Sequence, residues 1–108
     1  MIVVRFKVKC QPGKSEVAFA KFREVIAATK PLEGVISFDM GRDLTDPDAF
    51  IATEVYADRA ALVRQEAMPI VQQTIELLGQ IVAGPPEATI FHVASSEPWT
   101  NSAASSTS

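Results

Sequence analysis

The chain has 108 residues, enough for one domain and too few for two independent cores. With 47% hydrophobic and 21% charged residues it reads as a globular domain that buries a real core, which excludes disordered, collagenous and coiled-coil classes. Ten Lys plus Arg against 13 Asp plus Glu leave a net charge of −3, so no cationic surplus exists to bind nucleic acid or an anionic membrane.

One cysteine, Cys10, excludes an internal disulfide and a Cys-rich zinc site, and with one histidine, His92, no metal site is expected. The first ten residues, MIVVRFKVKC, interleave cations with apolar residues, unlike the uninterrupted core of a signal peptide. No window approaches the roughly 20 apolar residues of a membrane span, and a cytoplasmic protein is expected.

From Ile2 to Cys10 the pattern has a period of two, with Val4, Phe6, Val8 and Cys10 on one face, which predicts a half-buried strand. Gln11-Pro12-Gly13-Lys14 is a turn, and Ser15 is placed to cap a helix whose apolar face carries Phe19, Phe22, Ile26 and Thr29, joined by Ala18 and Val25. Pro31 and Gly34 end it. Val35 to Arg42 alternates again, with Ile36, Phe38 and Met40 on one side. A polar loop with an Asp46-Pro47-Asp48 turn then leads into a third strand from about Phe50 to Tyr56, making a hairpin. Asp58 can cap a helix from Arg59 to about Ala67, and Pro69 restarts it in a new direction through Val82. Ile70, Val71, Ile75, Leu77, Leu78, Ile81 and Val82 form its apolar face. Gly84-Pro85-Pro86 stops this helix, and Ala88 to Ala94 is a fourth strand. Residues 95–108, six of them Ser with Trp99 alone bulky, read as a flexible tail to a domain spanning 1–94.

The order β-α-β-β-α-β predicts an α+β, ferredoxin-like split βαβ fold: one four-stranded antiparallel sheet with its helices on a single face. Val3 and alternate residues of the third strand then occupy the uncovered face, which is too apolar to stay wet. Sheet-to-sheet homodimerisation is the expected resolution.

Gly34, Phe38, Arg42-Asp43, Asp46-Pro47, Phe50, Glu54, Tyr56 and Asp58 follow one another in an order and spacing that resembles antibiotic biosynthesis monooxygenase (ABM) domains, small quinol monooxygenases among them. The similarity continues weakly through Leu62, Pro69 and Gly84-Pro85-Pro86-Glu87, covering about Val3 to Ala94. The resemblance implies a dimeric α+β barrel with a pocket between sheet and helices. It also implies oxygenation without metal, flavin or other cofactor, in which a deprotonated phenol or quinol gives an electron to O2. Family members usually carry Trp where this chain has Tyr56, and many carry His where it has Gln65 and Ile70. Haem-degrading relatives rely on a helix His, that Trp and an Asn in the first strand, none of which is present here, so haem degradation is not expected.

Tyr56 and Glu54, two residues apart on one strand face, are the candidate hydrogen-bond donor and proton acceptor, with His92 a further base. Arg42 and Arg64 are candidates for binding a phenolate, and Gln65 can donate a hydrogen bond but not act as a base. Phe22, Phe38 and Phe50, with Met40, are candidate walls for an aromatic ligand. Each has a plainer reading as a core aromatic, an ion-paired arginine or an interface histidine. Asp39 most simply faces a seam or solvent, and Cys10 reads as a small hydrophobe. The expected function is a cofactor-independent monooxygenase that uses O2 on a quinol, phenol or polyketide anthrone. The alternative is a non-oxygenase barrel that binds a small metabolite or works like an isomerase.

Overall fold

The computed structural model describes residues 1–101. Its elements are β1 (Ile2–Lys9), α1 (Ser15–Thr29), β2 (Val35–Asp43), β3 (Asp46–Tyr56), α2 (Arg59–Glu66), α3 (Pro69–Ile81) and β4 (Glu87–His92). All pairings are antiparallel, in the order β2-β3-β1-β4, so the expected α+β ferredoxin-like sheet is present. Residues Ile2, Val4 and Val8 of β1 point to the helices. On β3, Phe50, Ala52 and Tyr56 are buried against the helices, and Ile51, Thr53 and Val55 lie on the opposite face.

Two apolar clusters hold the helices to this face. One joins Ile2, Val4, Phe38 and Tyr56 to Val25 of α1, Leu62 of α2 and Val71 of α3. The other joins Val8, Cys10 and Phe50 to Ala18 and Phe22 of α1 and Leu78 and Ile81 of α3. The break between α2 and α3 follows from Pro69, which disfavours helical backbone in the residue before it; Met68 is extended at φ −65° and ψ 136°. The Asp58 carboxylate accepts a hydrogen bond from the Ala61 amide at 2.9 Å, as a capping residue should.

Several local expectations need correction. Ser15 is the first residue of α1 rather than its cap; Lys14 holds the cap position without a side-chain bond. The buried stripe of α1 is Ala18, Phe22, Val25 and Thr29, while Phe19 turns outward; in α3 it is Val71, Thr74, Leu78 and Ile81, while Ile75 beside them stays 55% exposed. Both helices carry more apolar residues than one face needs, so docking rather than composition selects the face.

In β2 the pairing jumps from Val35↔Tyr56 to Ser37↔Val55, leaving Ile36 as an unpaired extra residue. That bulge turns Ile36 outward, 58% exposed, and gives its expected inward place to Val35. The β2–β3 turn needs only Leu44 and Thr45, because the Asp43 carboxylate accepts from both the amide and the hydroxyl of Thr45, at 2.8 and 2.7 Å. Asp46-Pro47-Asp48 is therefore strand, not turn. Pro47 lies where the ladder jumps from Arg42↔Phe50 to Asp43↔Asp46, and there its missing N–H interrupts no pairing.

The fourth strand ends at His92 instead of Ala94, and all six of its residues are exposed. Residues 95–101 of the expected tail form no helix or strand, with Trp99 83% exposed, and 102–108 lie outside the described residues. No helix among the described residues is long and apolar enough to cross a membrane.

Candidate active site

Strand register sets the floor of the site. One row runs Phe38, Glu54, Val4, Ile90 across the sheet, and the next runs Met40, Ala52, Phe6, Ala88. Above these rows lies a cleft of about 330 Å³. Its walls are Phe22 and Val25 of α1, Leu62, Gln65 and Glu66 of α2, and Val71, Thr74, Ile75 and Leu78 of α3. Ala88 and Ile90 are exposed on the inner face of β4, so the cleft opens on that side.

Glu54 and Glu66 are the charged residues of this otherwise largely apolar lining. The Tyr56 hydroxyl, fully buried beneath the cleft, donates to Glu54 Oε1 at 2.5 Å. Burial raises the proton affinity of Glu54, the Tyr56 hydrogen bond opposes that rise, and the negative charge of Glu66 adds to it. Tyr56 itself is pushed well above the usual phenol range, first by burial and then by accompanying Glu54, so its proton stays on the ring oxygen. The result is a carboxylate with enhanced basicity, oriented by a neutral phenol. Thr74 turns its hydroxyl back to the Ile70 carbonyl at 2.7 Å, and Gln65 Nε2 reaches Thr29 Oγ1 only at 3.4 Å.

Of the residues singled out in the sequence, Glu54, Gln65, Phe22 and Phe38 meet at this cleft, with Tyr56 behind Glu54. Phe50 lies instead in the second cluster, edge-on to Phe22 with ring centres 5.1 Å apart, and borders a separate small hollow with Arg42. Arg42 is committed elsewhere: it pairs with Glu16 at 2.6 Å, donates to the Pro47 carbonyl at 2.8 Å and packs over the Phe19 and Phe50 rings. Arg64 donates to the Glu33 carbonyl at 3.0 Å, tying α2 to the chain before β2. His92 pairs with Ile2, one strand beyond Tyr56, and is exposed outside the cleft lining. Asp39 is exposed on β2. Cys10 is fully buried, and burial raises its thiol, an effect increased by the charge of Asp48 and opposed by Arg42.

Sequence reasoning missed Glu66 and Thr74. Glu66 looks like any solvated charge on a short polar helix, and only the placement of α2 at the cleft mouth distinguishes it. Thr74 carries a visible signal, its position three residues after Val71 and four before Leu78, which its bulkier neighbours mask. Among the described residues no group of three or more His, Cys, Asp or Glu is arranged to hold a metal ion.

The fold is shared with solved structures. One is the crystal structure of an antibiotic biosynthesis monooxygenase, 20% identical with a TM-score of 0.81, covering 88% of this chain and 100% of that one. Another is Rv0793 from Mycobacterium tuberculosis, 18% identical with a TM-score of 0.83, covering 90% and 98%. At these identities the likeness concerns the fold alone. A sequence relative, the uncharacterized protein sll1783 of Synechocystis sp., is 29% identical over 96 residues. That alignment takes in 89% of this chain, which spans 65% of the length of the relative. The family profile described as antibiotic biosynthesis monooxygenase matches residues 1–77, more than two thirds of the sequence, and the chain belongs to that family.

Proposed function

We propose that the protein is a cofactor-independent monooxygenase that uses O2 on a planar phenol, quinol or anthrone. The observation that carries this reading is the Tyr56-supported Glu54 carboxylate in an apolar cleft. An aromatic ligand fits between Phe22 and Phe38 with its acidic proton directed to Glu54. Glu54 takes that proton, and the substrate anion passes one electron to O2. The resulting superoxide and carbon radical combine to a peroxide anion, which takes the proton back from Glu54 and becomes a hydroperoxide. For an anthrone, Glu54 then removes the remaining proton of that carbon as the O–O bond breaks and passes it to the departing hydroxide, so that the CH2 group and O2 become C=O and H2O. The cleft contributes orientation and exclusion of water, which such chemistry needs more than it needs a nucleophile.

The functional unit in this reading is a homodimer. On the outer sheet face Ser37, Val55, Val3 and Phe91 form one row, with Phe91 48% exposed, and a polar row of Asp39, Thr53, Arg5 and Thr89 separates it from Ile51. A second copy of this face is the partner that would cover it.

Oxygen uptake by metal-free protein with candidate quinols and anthrones tests the proposal. Glu54→Gln should lower the enzyme-dependent rate by about 100-fold, the usual scale for losing a general base. Uptake no faster than autoxidation would remove the oxygenase reading, and turnover that persists under nitrogen would support the isomerase-like alternative.

A further inference from the structure

Among the described residues, the cleft lining holds two carboxylates and no cation. Its floor carries Glu54 and its mouth carries Glu66, while the remaining lining residues are apolar apart from Gln65 and Thr74. The arginines next to cleft-lining residues in sequence are placed elsewhere: Arg5, between Val4 and Phe6, lies on the outer face opposite Thr53 and Thr89, while Arg64 is on the Glu33 carbonyl, Arg23 over the Phe19 ring and Arg42 on Glu16. Glu54 is partly buried among apolar side chains, where charge is screened less than in water, and Glu66 is exposed at the cleft edge.

From this we infer that Glu66 is a charge-selectivity residue, and that the cleft takes neutral or cationic aromatic ligands while rejecting those that carry a carboxylate, sulfonate or phosphate. The inference deepens the proposed function and rests on the cleft being its ligand site. It also fixes the order of events. The ligand enters protonated, because a phenolate would meet Glu54 and Glu66 together. When Glu54 then takes the proton, negative charge moves from carboxylate to substrate and the total in the cleft is unchanged. Glu66 thus assists twice, by excluding anions at the mouth and by strengthening Glu54 as a base.

The groups facing Glu54 bear this out element by element. Tyr56 on β3 is neutral; Val4 on β1, Phe38 on β2, Ile90 on β4, Phe22 and Val25 on α1 and the α3 residues Val71, Ile75 and Leu78 cannot ionise; and Glu66 on α2 is the second charge. Nothing in this set compensates a bound anion.

Binding of three bicyclic probes that undergo no turnover tests the inference separately from oxygenation: 2-naphthol, 2-naphthylmethylamine and naphthalene-2-sulfonate, followed by NMR titration at neutral pH. Wild-type protein should bind the first two at least about tenfold more tightly than the sulfonate, the scale of one largely screened like-charge contact. Glu66→Lys should narrow or reverse that preference, with Glu66→Gln intermediate, while melting temperatures report that each variant is folded. Sulfonate binding as tight as naphthol in the wild type, or a preference unmoved by Glu66→Lys, would overturn it. If charge selection holds and no substrate consumes O2, the oxygenase reading fails and this one stands.

Discussion

At the scale of single residues, the decisive pair is Tyr56 and Glu54. The Tyr56 hydroxyl has one proton to donate and gives it to Glu54, so in the proposed reaction it supports the base rather than bonding the substrate oxygen. Because that bond lowers the proton affinity of Glu54, Tyr56→Phe should move the acid limb of the kcat/KM profile to higher pH and reduce the rate at neutral pH by about tenfold at most. An acid limb that stays in place would separate Tyr56 from the base. Glu54 also has a stability consequence. Its proton is held more tightly in the folded state than in the unfolded state, so its contribution to stability declines as pH rises through its titration. Glu54→Gln removes the buried charge and should raise the Tm at pH 7 while abolishing most activity. Thermal melts at pH 4 and pH 7 check this, since the gain should shrink at the lower pH.

At the scale of elements, the placement of α2 depends on one glycine. Gly34 has φ +85°, and a Cβ there would lie 2.6 Å from the Ala61 side chain of α2, while its carbonyl accepts from the Ala57 amide at 2.8 Å. Gly34→Ala combines positive-φ strain with overlap and should cost roughly 2–4 kcal/mol in chemical denaturation. Gln65 and Glu66 ride on α2, so ligand binding should weaken as well. The β2–β3 hairpin has an acid-sensitive element of its own. Two hydrogen bonds from Thr45, and then Lys7, hold Asp43 down to about 2 from an ordinary 3.8. Its stabilisation is therefore present at neutral pH and is lost as pH falls from near 4 toward 2. Asp43→Ala should lower the Tm at pH 7 and flatten the decline over that acid range.

At the scale of the whole molecule, a single helix layer leaves the face bearing Val3, Val55 and Phe91 uncovered. Soluble monomers rarely expose apolar patches beyond a few hundred Å². Sedimentation at micromolar concentration should therefore find a dimer, and Val55→Lys, which points a charge into that face, should shift it to monomer. A wild-type chain that sediments as a well-folded monomer would end the barrel interpretation. Loss of the dimer should also reduce activity on dilution, by mass action.

Period-two and helical spacing, proline and glycine positions and the Asp58 cap were enough to establish the element order, and with it the sheet topology, because each depends on near neighbours along the chain. The same alternation put Glu54 and Tyr56 on one face. Side chains whose roles depend on distant partners were not legible. Nothing local shows that Arg42 is drawn to Glu16 and Arg64 to Glu33, or that the bulge at Ile36 reverses one inward residue. Phe19 and Ile75 satisfy a helical period as well as their buried neighbours do, and only docking against the sheet leaves Phe19 outside the core and Ile75 exposed along the cleft. Glu66 is the clearest case: as a letter it is one of 13 acids, and it becomes part of a site only when Pro69 breaks the helix and the fold brings the end of α2 over Glu54.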